Sequence, residues 1–121
     1  MTDPAELCEQ AASLVESDPG AAYRFFSEAA EAGSANGMFG MAELKMSGTG
    51  TPADPDGAER LYLEASATGH APSMYRLGTL WAGGAGHQED PAKAADWFGK
   101  AAELGFQPAY PEIAGCLLYG Y

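Results

Sequence analysis

Apolar residues recur along this chain at the spacing of helix faces. In residues 18–33, DPGAAYRFFSEAAEAG, the recurring apolar positions are Ala22, Phe25, Phe26, Ala29 and Ala30. This spacing of i, i+3, i+4, i+7 and i+8 places them along one stripe of an α-helix. Asp18 and Pro19 form a helix start, because aspartate accepts backbone N–H bonds and proline suits the first helical position. Gly33 is predicted to end the helix in a left-handed conformation.

The same pattern returns twice at a fixed interval. Asp-Pro occurs at 18, 54 and 90, so the interval is 36 residues both times (54 − 18 and 90 − 54). The alanines and glycines inside the units keep this interval without an insertion, and a fixed period of this length is typical of stacked repeat arrays. The third unit places Trp97 in its apolar stripe, and we expect that ring to be buried.

A second helix follows each glycine stop after a link of two or three residues, which forces an antiparallel hairpin. In the middle unit this helix is APSMYRLGTLWAGG, and it is apolar nearly all round, as expected of an inner helix. Its Gly78 is expected to let another backbone approach closely. The predicted fold class is therefore all-α: an α/α solenoid, a superhelical stack of antiparallel helical hairpins of tetratricopeptide-like type.

The predicted organisation is one domain built from a cap and three units. Residues 3–16 form a helix with an acidic outer face, which suits the end of an array, and its apolar stripe comprises Leu7, Ala11, Leu14 and Val15. We therefore assign residues 1–17 to an N-terminal capping helix. Repeats follow at 18–53 and 54–89, and a C-terminally shortened repeat occupies 90–121.

Net charge narrows the classes of partner. Seventeen acidic residues against 6 basic ones give a formal charge of −11, so no basic footprint for nucleic acid or for an anionic membrane surface is present. No apolar run approaches the ~20 residues of a membrane span. The acidic start MTDPAELCEQ lacks the apolar core of a secretory signal, and two cysteines without a framework suit a reducing compartment. We expect a cytoplasmic protein. Net charge of this size mostly serves to keep a protein soluble, and the alternative is a partner with a basic surface.

Candidate chemistry is sparse. The segment HQED at 87–90 could hold a metal, but the corresponding loop of the first unit reads TPAD, and Asp90 is already a helix cap. The glycine-rich SGTGTP and GGAGHQ lack the strand and the Lys-Ser/Thr pair of a phosphate loop. No serine, cysteine or threonine pairs with a base and an orienting acid. We expect no catalytic residue, cofactor or metal; a small hydrolase is the alternative from the enzyme class.

Two segments carry a resemblance to a known family. DPAKAADWFGKAAELG at 90–105 and APSMYRLGTLWAGGAG at 71–86 resemble the two halves of Sel-one-like repeats, relatives of tetratricopeptide repeats. The resemblance covers residues 18–121 and departs at Lys45, which stands where the next unit has Trp81. It implies a bacterial, non-enzymatic module that binds a peptide or protein on its concave face. Such a module acts as an adaptor, scaffold or regulatory subunit.

The non-repeating positions are the candidate binding surface. They lie opposite the apolar stripe on the first helix of each unit, and we predict partner binding by Tyr23, Arg24, Ser27, Glu31, Asp56, Arg60, Leu63, Asp96 and Glu103. The alternative is an ordinary solvated face with ion pairs between residues four apart, such as Arg24 with Glu28. Leu63 is apolar although it lies on that face, where no contact with the core is expected.

Two further alternatives stay open. The chain's last apolar residues form either an edge folded onto its own repeat or a contact surface for self-association; they are Leu117, Leu118, Tyr119 and Tyr121. The acidic first helix would also suit an immunity or inhibitor protein that neutralises a cognate bacterial toxin by covering its basic active site. Strong salt dependence of the association rate would favour that function.

Overall fold

The computed structural model describes residues 3–83 and 89–106. These ranges hold six α-helices and no strand: α1 Pro4–Leu14, α2 Pro19–Glu31, α3 Ala35–Ser47, α4 Pro55–Ala67, α5 Ala71–Trp81 and α6 Pro91–Glu103. The all-α helical repeat fold is therefore confirmed. None of these helices has both the length and the apolar character needed to cross a membrane.

The helices group into two compact units. Met1–Thr68 contains α1 to α4, and Gly69–Tyr121 contains α5 and α6. Within the first unit α1 packs on α2, α2 on α3, and α3 on α4; within the second, α5 packs on α6. The division into a cap and three repeats stays a prediction.

The predicted helix starts are confirmed in atomic detail. The Oδ1 atoms of Asp18, Asp54 and Asp90 each accept a hydrogen bond from the backbone N–H three residues on, at 3.2, 3.0 and 3.2 Å. A proline follows each aspartate at the first helical position. Each carboxylate thus satisfies one of the N–H groups that the first turn leaves without an intrahelical partner.

The predicted glycine stops are also confirmed. Gly33, Gly69 and Gly105 have φ of 91°, 91° and 84°, and each follows the last residues of a helix. A Cβ at any of these positions would meet nothing within 4 Å. Glycine is therefore favoured here by backbone conformation and not by lack of space.

The core of the first unit is built around Phe26. Its ring is buried in a cluster with Ala11, Ala22 and Leu44, which come from α1, α2 and α3. The ring lies directly against the backbone of α3 at Gly40, where an added Cβ would sit 2.3 Å from Phe26 Cδ1. Contact between the ring and the helix backbone is possible because this position of α3 has no side chain.

The core of the second unit is built around Phe98, which is completely buried. Its ring lies on Gly78 of α5, where a Cβ would be 2.5 Å from the ring. The close approach expected at Gly78 therefore comes from a side chain and not from another backbone. The expected burial of Trp97 is met only in part: the indole is half-buried and packs against this core, and Lys100 Nζ lies 4.5 Å from its ring centroid. Phe98 takes the fully buried core position.

Candidate protein-binding groove

An open cavity of about 630 Å³ lies between α1 and α3 in the first unit, and we call it the α1/α3 groove. The side formed by α1 and its C-terminal end comprises Cys8, Ala12, Ser13, Val15 and Glu16. The side formed by α3 comprises Asn36, Phe39, Gly40, Glu43 and Leu44. Phe26 of α2 completes the lining. The volume is within the range of roughly 300–1,000 Å³ typical of ligand sites.

The helix order explains why α1 and α3 form one groove. A short link joins each of these helices to α2, and each packs on α2. Because a short link makes neighbouring helices antiparallel, α1 and α3 run in the same direction. Near the start of α3, the Sγ of Cys8 lies 3.7 Å from the Oγ of Ser34. Ser34 is the N-cap of α3, because its Oγ accepts the N–H of Gly37 at 3.1 Å. The N-terminal part of α3 therefore lies beside the middle of α1.

The middle of the groove is apolar. Phe26 and the glycine backbone of α3 form its floor, and half-buried Val15 and Phe39 line its sides together with exposed Ala12. Phe39 is fixed by the next helix, since its ring centroid lies 5.9 Å from that of the buried Tyr62. These contacts give the groove a preformed surface on packed helices.

One end of the groove is acidic. Glu16 lies just beyond α1, and Glu43 lies in the C-terminal half of α3; within the described residues no lysine or arginine lines the groove. The O–H of Tyr62 donates to Oε1 of Glu43 at 2.7 Å, which orients that carboxylate. The C-terminal end of α1 adds negative partial charge, and its last turn contains no basic residue.

Lys45 is the basic residue of α3 nearest this end, and it is engaged elsewhere. Its Nζ lies 3.8 Å from Oδ2 of Asp54 and 5.6 Å from the ring centroid of Tyr23. Lys45 stands where the next unit has Trp81, and its charged group therefore lies against an aromatic ring and a helix-capping carboxylate. The corresponding Trp81 ring has Lys93 Nζ 4.3 Å from its centroid.

The predicted site residues lie on a different surface. Tyr23 and Ser27 are half-buried, and the others are exposed on α2, α4 and α6: Arg24, Glu31, Asp56, Arg60, Leu63, Asp96 and Glu103. None of them lines the α1/α3 groove. Leu63 is 43% exposed, as its position opposite the stripe suggested. Their role in partner binding stays a prediction.

The predicted ion pairs on the helix surfaces do not form. In the described ranges Arg24 makes no ion pair with Glu28, and Arg60 makes none with Glu64. The residues with the same spacing on α6, Asp96 and Lys100, form no ion pair either. Exposed pairs of this kind gain only a few tenths of a kcal/mol, so solvation competes with them easily. The pair between Lys45 and Asp54 was not predicted, because it joins two helices.

Several sequence predictions concern residues outside the described ranges. These are His87 of the HQED segment and the proposed C-terminal edge, Leu117, Leu118, Tyr119 and Tyr121. The other histidine, His70, precedes α5, where its Nδ1 lies 2.7 Å from the Oγ of the buried Ser73. Burial lowers the pKa of the His70 imidazole below its ordinary value, because desolvation disfavours the charged form.

Sequence reasoning missed the groove because it assigned α1 to a cap. The available signal was NGMFG in α3, where two glycines flank a phenylalanine. Both glycines are buried, and a Cβ at Gly37 would lie 2.6 Å from the backbone nitrogen of Ala30. Such close approach of α2 to α3 leaves Phe39 at the surface beside α1.

The fold and the groove define this protein as an α/α repeat protein. The model of the Sel1 repeat family matches residues 5–34, 35–70 and 71–106, so the chain belongs to the Sel1 repeat family. These matches pair α1 with α2, α3 with α4, and α5 with α6, whereas the units predicted from the sequence begin at α2, α4 and α6. Proteins of this family generally bind other proteins and are typically non-enzymatic scaffolds.

Two solved structures have the same fold. One is a Sel1 repeat protein from Oxalobacter formigenes, 25% identical with a TM-score of 0.90, matched over 98% of this chain and 51% of that one. The other, a protective antigen of uropathogenic Escherichia coli strains with an SLR fold, is 18% identical with a TM-score of 0.82; the match covers 94% of this chain and 26% of the antigen. This chain thus spans about half of the first structure and a quarter of the second. No curated protein matches it at a significant level.

Proposed function

We propose that this chain is a protein-binding module, acting as an adaptor, scaffold or regulatory subunit, and that it binds a peptide or protein segment in the α1/α3 groove. The observation that carries the proposal is the groove's apolar floor, formed by Phe26 against the α3 backbone and open to solvent. Such a surface is preformed, so little ordering cost opposes binding. The family's general role in binding proteins supports the same function.

A groove-blocking variant tests this function. Ala12 lines the groove and is exposed, so Ala12→Trp should fill the groove without disturbing the core. Ala5→Trp is the matched control, because Ala5 is exposed on the same helix and does not line the groove. The tagged full chain and both variants are used for affinity purification from the native host, with mass spectrometry of the captured proteins.

We expect a partner that is retained by the wild type and Ala5→Trp and lost by Ala12→Trp. A partner retained by all three but lost by Leu63→Glu would assign binding to the exposed surface of α2 and α4 instead. If every captured protein is retained equally by the wild type and by all the variants, the proposed function is contradicted. Circular dichroism of each variant checks that its fold is intact.

A second candidate function is that of an immunity or inhibitor protein. The observation in its favour is the acidic N-terminal region, in which the carboxylates of Asp3, Glu6, Glu9 and Glu16 are all exposed. A basic active site of a toxin would be attracted to this surface, and the association rate would then fall steeply as salt is added. Stopped-flow association at two salt concentrations, with a captured toxin, distinguishes this role from that of an adaptor with a neutral partner.

A further inference from the structure

The α1/α3 groove is supported by a residue that does not line it. Tyr62 of α4 is only 1% exposed, and it contacts two groove-lining residues of α3, the helix on which α4 packs. Its ring centroid lies 5.9 Å from that of Phe39, and its O–H donates to Oε1 of Glu43 at 2.7 Å. Phe39 and Glu43 are four residues apart, so both lie on one face of α3. Tyr62 therefore supports the α3 side of the groove from the direction of α4.

The same aromatic pair occurs in the second unit. Tyr75 and Phe98 follow Phe39 and Tyr62 by 36 residues (75 − 39 and 98 − 62), and their ring centroids lie 5.5 Å apart. The interplanar angles are 58° in the first unit and 48° in the second, so the two pairs have similar geometry. Because the contact recurs between different side chains, it follows from the packing of the repeat. Phe98 lacks the hydroxyl that Tyr62 adds to this contact.

The position of the Phe39 ring decides how much room the groove offers. Phe39 lines the groove and also contacts Tyr62, which does not line it, so the Phe39 ring lies between the groove and the Tyr62 ring. A shorter side chain at position 62 would leave a space on the α4 side of Phe39. Neighbouring groups relax partly into such a space, and a shift of the Phe39 ring toward α4 would widen the groove.

We propose that Tyr62 is a positioning residue that sets the size of the apolar side chain which the α1/α3 groove accepts from its protein partner. We call that side chain the anchor; it lies on Phe26 and beside Phe39. The Tyr62 ring holds Phe39 toward the groove and so limits the anchor. One methylene group more or less in an apolar pocket changes binding roughly 10- to 200-fold, so a small shift of Phe39 is measurable. This inference rests on the proposed protein-binding function and adds a determinant of specificity outside the groove.

The test uses peptides from a phage-displayed random library that is selected on the immobilised full-length chain. An enriched peptide whose binding is abolished by Ala12→Trp is synthesised with a fluorescent label. Its anchor is the apolar position at which alanine weakens binding most, and versions with leucine and with tryptophan at that position are compared. Fluorescence anisotropy gives both Kd values for the wild type and each variant. The measured quantity is the Kd of the tryptophan peptide divided by that of the leucine peptide.

Tyr62→Leu should lower this ratio about tenfold, because a wider groove favours the larger anchor. Tyr62→Phe keeps the ring and should leave the ratio within about twofold of the wild-type value. Phe98→Leu is the matched control, because it shortens the corresponding ring while the groove is lined by residues of the first unit; it should leave the ratio unchanged. A loss of stability lowers the folded fraction equally for both peptides, so it cancels in the ratio. If circular dichroism shows that Tyr62→Leu does not fold, Tyr62→Met replaces it.

The outcomes separate this inference from the proposed function. An unchanged ratio in Tyr62→Leu, or an equal shift in Phe98→Leu, would overturn the inference, because the ring at position 62 then does not set the anchor size. An equal shift in Tyr62→Phe would also overturn it, since the hydroxyl and not the ring would be responsible. In these cases the proposed function stands, because the peptide still fails to bind Ala12→Trp. A library that yields no peptide sensitive to Ala12→Trp contradicts the proposed function and the inference with it.

Discussion

Replacing Gly40 by alanine tests the packing on which the groove floor depends. A Cβ at this position would lie 2.3–2.5 Å from three atoms of the Phe26 ring, which is too close for any real contact. The ring is buried in the unit's core, so it cannot swing freely away. Overpacking of this kind costs about 1–3 kcal/mol. The intrinsic preference of helices for alanine over glycine opposes the loss by up to about 1 kcal/mol.

A second glycine isolates the packing contribution from the helix preference. Gly99 lies inside α6, and a Cβ there would meet nothing within 4 Å, so Gly99→Ala should stabilise its helix by about 0.5–1 kcal/mol. Because the helix preference is common to both substitutions, Gly40→Ala should be about 1–3 kcal/mol less stable than Gly99→Ala. Gly20→Ala is a further control in the first unit, where the nearest atom would be Asp18 Oδ1 at 3.8 Å.

Urea and thermal denaturation followed by circular dichroism measure the difference. For a chain of this size, 1 kcal/mol corresponds to roughly 3–5 °C in Tm, so Gly40→Ala should melt several degrees below Gly99→Ala. Equal or greater stability of Gly40→Ala would show that Phe26 does not lie on the backbone of α3. The description of the groove floor would then be wrong.

Three further changes have defined outcomes. Phe98→Ala should lower the free energy of unfolding by about 3–5 kcal/mol in urea titrations. Trp97→Ala should lower it clearly less, because that ring is only half-buried; equal losses would contradict the assigned core. Asp54→Ala should lower the free energy of unfolding by about 1 kcal/mol, because it removes a helix cap. Asp54→Asn should keep most of the stability that the cap supplies, because asparagine also caps helices. Because His70 binds protons less readily when folded, stability should fall as pH drops below about 6.5, and His70→Asn should weaken that dependence in urea midpoints.

Features set by neighbours in sequence were predictable, and features set by packing were not. The caps at Asp18, Asp54 and Asp90 need only a carboxylate and a proline at the right positions, so the sequence alone predicts them. Trp97 and Phe98 are adjacent in one apolar stripe, and periodicity does not decide which of the two enters the core. That choice depends on Gly78, the position of α5 that receives the ring.

The groove illustrates the same limit at the level of the site. The apolar stripe of α1 was expected to include Val15, but this side chain is half-buried and lines the groove. Periodicity identifies an apolar face and not the helix that covers it. The hydrogen bond between Tyr62 and Glu43 joins residues 19 positions apart, so it was equally out of reach of local reasoning.

The recurrence of complete start and stop signals has a consequence for how such a chain changes in length. Each Asp-Pro cap bonds to its own first turn, and each positive-φ glycine acts within its own link. Duplication or loss of a 36-residue segment (54 − 18) would therefore leave every remaining helix with its own boundaries. New binding surface can then be gained by copying an existing unit, with selection acting afterwards on a few groove positions such as Ala12 and Glu43.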